Sequence, residues 1–249
     1  MKKRYSLFLF IFILFLSSCS LKQKNLSSKD VMDKMNTAQD QVKNVKIGVE
    51  LQPVEQDIAI KGTSFYDFEN KRYLQEIGKD DRMYEDADGF ISAYKHIQLK
   101  SSEELYHDYF RDQVQYESNP LQYWSHIDEE IIDHFDLEEK EHTYILRYDG
   151  TEQERDTLLN DWIKEERKLE KKRKAFVNWS GDETFVAKQF DIEFHIDPKT
   201  FRLKRYHEAI EYEEDQQREA ERFNREVNLL YQDYNKLEKV SKPEIEEQR

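Results

Sequence analysis

The chain has 249 residues, 53 of them acidic and 39 basic, for a formal net charge of −14. That excess of carboxylates excludes nucleic acid as a partner and keeps the protein face from lying flat on an anionic membrane. The 15 Tyr, 15 Phe and three Trp exclude a disordered chain, which is poor in such residues, and the length fits a single domain.

Lys2, Lys3 and Arg4 precede an unbroken apolar run, Leu7–Leu16, and the small residues Ser17 and Ser18 follow it. This is the layout of a secretory signal peptide over residues 1–18. The run is half the length of about 20 residues that a membrane-crossing helix needs. Leu16-Ser17-Ser18-Cys19 resembles the lipobox of bacterial lipoproteins. The resemblance implies that the Cys19 thiol takes a diacylglyceryl group and then heads the mature chain. A thiol suits this role because its thiolate is a good nucleophile. Two acyl chains hold a protein on a bilayer where one gives only marginal binding, each buried CH₂ adding about 0.8 kcal/mol. Cys19 is the only cysteine, so no internal disulfide claims it. A plain signal peptide ahead of an ordinary thiol, and an uncleaved anchor, are the alternatives. Loss of the three leader cations moves the net charge from −14 to −17. Residues 19–27 read as a lipidated tether, which places the protein on the outer face of the cell membrane.

From Ser28 to Lys43 the residues Val31, Met35, Ala38, Val42 and Val45 recur at steps of three and four, which predicts an opening helix. Ser27 and Asp30 are spaced as a capping box. The period then becomes two. Val45, Ile47, Val49 and Leu51 predict a half-buried strand ended by Pro53. A second strand is expected from Ile58 to about Tyr66 and a third over Arg72–Ile77. Arg82–Glu85 and Phe90–Tyr94 form a hairpin around Asp86-Ala87-Asp88-Gly89.

The middle reads as helical: Ser101–Gln115 with Leu105, Tyr109 and Val114, then a helix from Asn119-Pro120 with the stripe Leu121, Trp124, Ile127, Ile131 and Phe135. Thr143–Tyr148 is a strand. Thr151 to about Lys174 is a long helix with Leu158, Leu159, Trp162, Ile163 and Leu169 on one face. Its second half, Lys164–Lys174, is strongly basic, and fits either a solvated helix face or a contact with anionic head groups or wall polymers. Strands follow over Phe185–Ile196 and Phe201–Tyr212, joined by the turn Asp197–Thr200. Beyond Glu213 the composition is helical, yet Phe223, Val227, Leu229 and Tyr231 alternate with polar residues. The alternation favours a hairpin with its tip near Gln216 over a helix. Helix, meander, helical insert and meander, without crossover helices, give an α+β fold: a curved antiparallel sheet with helices on one face.

Three segments resemble a family of small Gram-positive lipoproteins of undefined function, and more distantly the half-barrel carrier lipoproteins of the LolA and LppX type. They are the opening VMDKMNTAQDQVKNVKIGVEL, the stretch Phe194–Leu203 with its Ile-Asp-Pro-Lys-Thr turn, and the close Tyr231–Leu237 with Pro243 beyond. The resemblance implies one domain over residues 28–249, an open half-barrel whose concave face is covered by helices, with an apolar cavity between. It brings no catalytic residues.

The residues themselves offer no catalytic motif: no Gly-x-Ser-x-Gly elbow, no Gly-rich phosphate loop and no His-Glu-x-x-His pair. No enzyme activity, cofactor or metal is expected. The function that remains is a membrane-anchored carrier or sensor for an apolar or amphipathic ligand, with Leu105, Tyr109, Trp124 and Trp162 as candidate wall residues; each also fits plain core. The alternative is an interaction or structural lipoprotein that binds an envelope protein and no small ligand.

Overall fold

The computed structural model describes residues 26–52, 60–78, 81–87, 89–94, 97–101, 113–172, 184–214, 222–238 and 240–243. The leader, Cys19, Ile58, Leu105 and Tyr109 lie outside the described residues, as does the side chain of Leu169.

Helix α1 spans Ser28–Asp40. Its capping box forms: Ser27 Oγ accepts the Asp30 amide at 3.1 Å, and Asp30 Oδ2 accepts the Ser27 amide at 3.0 Å. Such a cap contributes about 0.5–2 kcal/mol. Val31, Met32 and Met35 are buried, and Gln39 is the buried residue of the next turn. The helix stops before the predicted Lys43 because the chain is drawn into the sheet. Asn235 Oδ1 accepts the amides of Lys43 and Asn44 at 2.8 and 3.3 Å, and Val45 is already on strand β1.

Among the described residues one antiparallel sheet of eleven strands follows: β1 Asn44–Gln52, β2 Ile60–Asp67, β3 Arg72–Ile77, β4 Asp81–Asp86, β5 Gly89–Tyr94, β6 Ile97–Ser101, β7 Phe135–Lys140, β8 Thr143–Tyr148, β9 Phe185–Ile196, β10 Leu203–Glu214 and β11 Arg222–Gln232. The order across the sheet is β6-β5-β4-β3-β2-β1-β11-β10-β9-β8-β7. The first and last strands therefore meet in the middle, and two meanders spread from them in opposite directions. The sheet is curved and unclosed. Period-two alternation fixes the register. Val45, Ile47, Val49 and Leu51 lie opposite Tyr66, Ser64, Gly62 and Ile60 on one side, and Ile47, Val49 and Leu51 lie opposite Tyr231, Leu229 and Val227 on the other.

The final hairpin forms as the alternation predicts, with Tyr212 opposite Phe223 and Glu213 opposite Arg222. The Ile-Asp-Pro-Lys-Thr turn closes on Asp197, whose Oδ1 accepts the amides of Lys199 and Thr200, each at 2.9 Å. Phe201 leaves the turn at φ 56, an uncommon conformation for a bulky residue.

The middle of the chain departs from the sequence expectation. Ser101 ends strand β6; residues 102–112 of the expected helix lie outside the described residues, and 113–118 is helical. Helix α2 is Pro120–Ile127 only. Asp128 is extended and its carboxylate accepts the Glu130 amide at 2.9 Å, which starts a 3₁₀ turn, Glu129–His134. Phe135 then opens β7, opposite Tyr148. Ile131 and Phe135 are buried as the stripe requires, but from different elements.

Helix α3 spans Glu152–Lys172 and buries Leu158, Leu159, Trp162 and Ile163. Strand β8 pairs with β9 only from Glu193 to Ile196, and α3 covers the earlier edge. Asn160 Oδ1 accepts the Phe185 amide at 2.9 Å and its Nδ2 donates to the Phe185 carbonyl at 2.8 Å; Asp156 Oδ1 accepts the Ala187 amide at 2.8 Å. Side chains of a helix thus do what a neighbouring strand would do.

Candidate functional site: the inner face of the sheet

The inner face has two halves of different chemistry. Over β8 to β11 it is aromatic. Trp124 from α2 and Trp162 from α3 have ring centroids 6.3 Å apart. Trp124 also meets Phe190 at 5.8 Å, and Trp162 meets Tyr212 at 6.3 Å. Trp124 is 1% exposed and Trp162 4%. Both candidate wall residues sit inside a ring-packed layer. Offset and edge-on contacts of this kind each add about 0.5–1.5 kcal/mol beyond area burial.

One charged pair enters this layer. Glu208 occupies an inward position on β10 between Tyr206 and Ile210, and is fully buried. Arg225 Nε on β11 lies 3.0 Å from its Oε1. Tyr206 and Tyr116 donate to its Oε2 at 2.6 and 3.1 Å, and Trp124 Nε1 donates to the Tyr206 hydroxyl at 2.8 Å. The Arg225 guanidinium also stacks over Tyr116 and Trp162. The alternation of β10 and β11 could have revealed this pair, because it places a Glu and an Arg on the apolar face.

Over β2 and β3 the inner face sets the polar Ser64 and Gln75 beside the rings of Tyr66 and Tyr73, 4.8 Å apart, and the helical turn 113–118 lies on it. Glu117 from that turn is 3% exposed. Its carboxylate accepts from the Tyr66 hydroxyl, from Gln113 Nε2 at 2.9 Å and from Gln75 Nε2 at 3.4 Å. Gln75 Nε2 also donates to Ser64 Oγ at 3.3 Å. Among the described residues no Lys or Arg pairs with Glu117. Burial pushes its carboxyl above the usual range, against the downward pull of Tyr66, Gln113 and Ser64. Burial likewise raises the phenols of Tyr66, Tyr116, Tyr206 and Tyr231 well above 10. The Tyr231 hydroxyl donates to the Glu117 carbonyl, Gln39 Nε2 to the Ser118 carbonyl at 2.7 Å, and Asn119 Nδ2 to Asn36 at 2.7 Å. The turn is tied to the sheet and to α1 by these polar contacts, while its Val114 and Tyr116 pack on the core, the Tyr116 ring edge-on to Tyr123 and Tyr206. Sequence reading missed Glu117: Gln-Val-Gln-Tyr-Glu-Ser-Asn carries no periodic signal that its carboxylate is interior.

Two open surface hollows among the described residues lie elsewhere. One, of about 550 Å³, is lined by Glu152, Asp156, Asn160 and Thr184, two of which already hold the edge of β9. The other, of about 280 Å³, lies between Lys34 and Thr37 of α1 and Phe201. Among the described residues no group of His, Cys, Asp or Glu side chains is placed to hold a metal ion, and no helix is long and apolar enough to cross a membrane. Of the basic stretch on α3, Lys168 pairs with Glu165, and Arg167 turns onto the Phe185 ring.

The fold and its inner face define an α+β protein built on one open, curved antiparallel sheet with helices on its inner side. The chain belongs to the family of unknown function DUF6612, whose family model matches residues 93–246. No curated protein matches the sequence. Among solved structures it is similar to the Mycobacterium tuberculosis lipoprotein LppX, at 9% identity and a TM-score of 0.44 over 85% of this chain and 95% of that one. It is also similar to the LolA superfamily protein NE2245 from Nitrosomonas europaea, at 7% identity and a TM-score of 0.26 over 84% and 92% of the two chains.

Proposed function

We propose that this protein is a non-catalytic binding module, anchored through a diacylglyceryl group on Cys19 to the outer face of the cell membrane, that holds an amphipathic ligand on the inner face of its sheet. The observation that carries the reading is the buried polar layer of Ser64, Gln75, Tyr66 and Glu117. A scaffold gains nothing from it, since burying a polar group costs free energy and an apolar replacement of equal shape is often no worse. The ligand sits over β2 and β3 and not between Trp124 and Trp162, whose rings already fill the other half. That filled half is what favours the second reading, an envelope scaffold without a small ligand.

The anchor is tested by feeding cells a clickable fatty acid. The wild-type chain is expected to be labelled and membrane-bound, and Cys19→Ser unlabelled; an unlabelled wild type released into the medium contradicts the anchor. Native mass spectrometry of the gently extracted protein tests the ligand. A non-covalent adduct of lipid mass is expected, and a bare chain from every extraction would favour the scaffold.

A further inference from the structure

The Glu117 cluster leaves two hydrogen-bond acceptors unused. Gln75 and Gln113 both turn their amide nitrogens to Glu117 Oε1. This fixes the orientation of both amides, because the flipped form would set oxygen against the carboxylate. The amide oxygens that remain, Gln75 Oε1 and Gln113 Oε1, are buried and have no hydrogen-bond partner. Gln75 is itself only 4% exposed. Both oxygens fall within about 6 Å of the same carboxylate oxygen, since the nitrogen and oxygen of an amide are separated by one carbon.

A buried acceptor left unsatisfied costs about 1–3 kcal/mol. Here two of them flank a carboxylate that has neutral donors and no cation. A group that answers all three needs must donate several hydrogen bonds, carry positive charge and be small. Resting on the binding-module reading above, we propose that Glu117, Gln75 and Gln113 form the head-group end of the ligand site, and that the head group is a protonated primary amine. Its three N–H donors suit the two amide oxygens and the carboxylate; its charge supplies the counterion that Glu117 lacks. The tail then runs along the inner face of β2 and β3 past Tyr66 and Tyr73.

The test uses the full-length protein in non-ionic detergent micelles, with bound probe counted by native mass spectrometry. Four probes share one tail: octylamine, octanol, octanoate and octyltrimethylammonium. Octylamine is expected to bind at least about tenfold tighter than the other three, the effect of a charge-assisted hydrogen bond. Octyltrimethylammonium has the charge without the donors, and octanol a donor without the charge, so both are expected to lag. Glu117→Gln is expected to bring octylamine down to the level of octanol. Gln113→Leu is expected to weaken octylamine alone and serves if the first variant fails to fold. Equal binding of all four probes would overturn the head-group assignment and leave the binding module standing. Binding of none would overturn both.

Discussion

The two halves of the inner face solve the same problem with opposite materials. Over β8 to β11 the sheet is covered by α2 and α3 through interlocked rings, and the buried carboxylate there, Glu208, has Arg225 as its cation. Over β2 and β3 it is covered by the turn 113–118 through hydrogen bonds, and the buried Glu117 has no cation among the described residues. Apolar burial is worth about 1.5–3 kcal/mol for each large side chain. A hydrogen bond exchanged with water nets only about 0.5–1.5 kcal/mol. One half is therefore held mainly by ring packing and the other, apart from Tyr116, mainly by hydrogen bonds.

Substitutions should separate the halves, beginning with the largest effect. Trp124→Ala removes a fully enclosed ring and is expected to lower unfolding stability by about 3–5 kcal/mol in denaturant titrations. Arg225→Ala leaves Glu208 buried without its cation and is expected to cost a similar amount. Adding Glu208→Gln should recover part of it; no recovery would mean that Arg225 acts through packing on Tyr116 and Trp162 alone.

Glu117→Gln should behave differently. Burial raises the Glu117 carboxyl in the folded protein above its ordinary 4.5. Its contribution to stability is therefore complete below about that pH and is lost as pH rises through the folded value. A glutamine cannot titrate. The variant is expected to match wild type in acid and to be the more stable by about 1 kcal/mol at neutral pH; a variant less stable at both pH values would contradict this account of the turn. Smallest of all, Ser27→Ala removes the cap of α1, outside both halves, and is expected to cost about 1 kcal/mol.

The same sign reasoning covers alkaline pH. The phenols of Tyr66, Tyr116, Tyr206 and Tyr231 are raised by burial, and Tyr148 is pushed up to about 12, again mainly by burial. Their stabilisation is complete below 10 and is lost as pH climbs through the folded values. Absorbance near 295 nm should therefore report these phenols ionising together with unfolding. Early, independent ionisation would mean that they are accessible.

The strands with sustained alternation were legible from the residues: β1, β3, β8, β9 and the hairpin of β10 with β11. In each, burial on one face forces period two over several positions. Strands β6 and β7 were missed because Ile97 with Leu99, and Phe135 with Leu137, repeat only once. Phe135 moreover continued a helical step from Ile131. The aromatic half of the inner face could be read as core from stripes on α2 and α3. The polar half could not. Glu117 is interior only because Tyr66, Gln75 and Tyr231 reach it from strands far away in sequence, and no local pattern carries that information.

Native-state hydrogen exchange on the full-length protein tests the contrast between the halves most directly. The amides of 113–118 are expected to open by a local route, with protection well below that of 158–163 in α3. Added octylamine should raise the protection of the turn and leave α3 unchanged. Equal protection of the two segments, lost together only on global unfolding, would contradict the account.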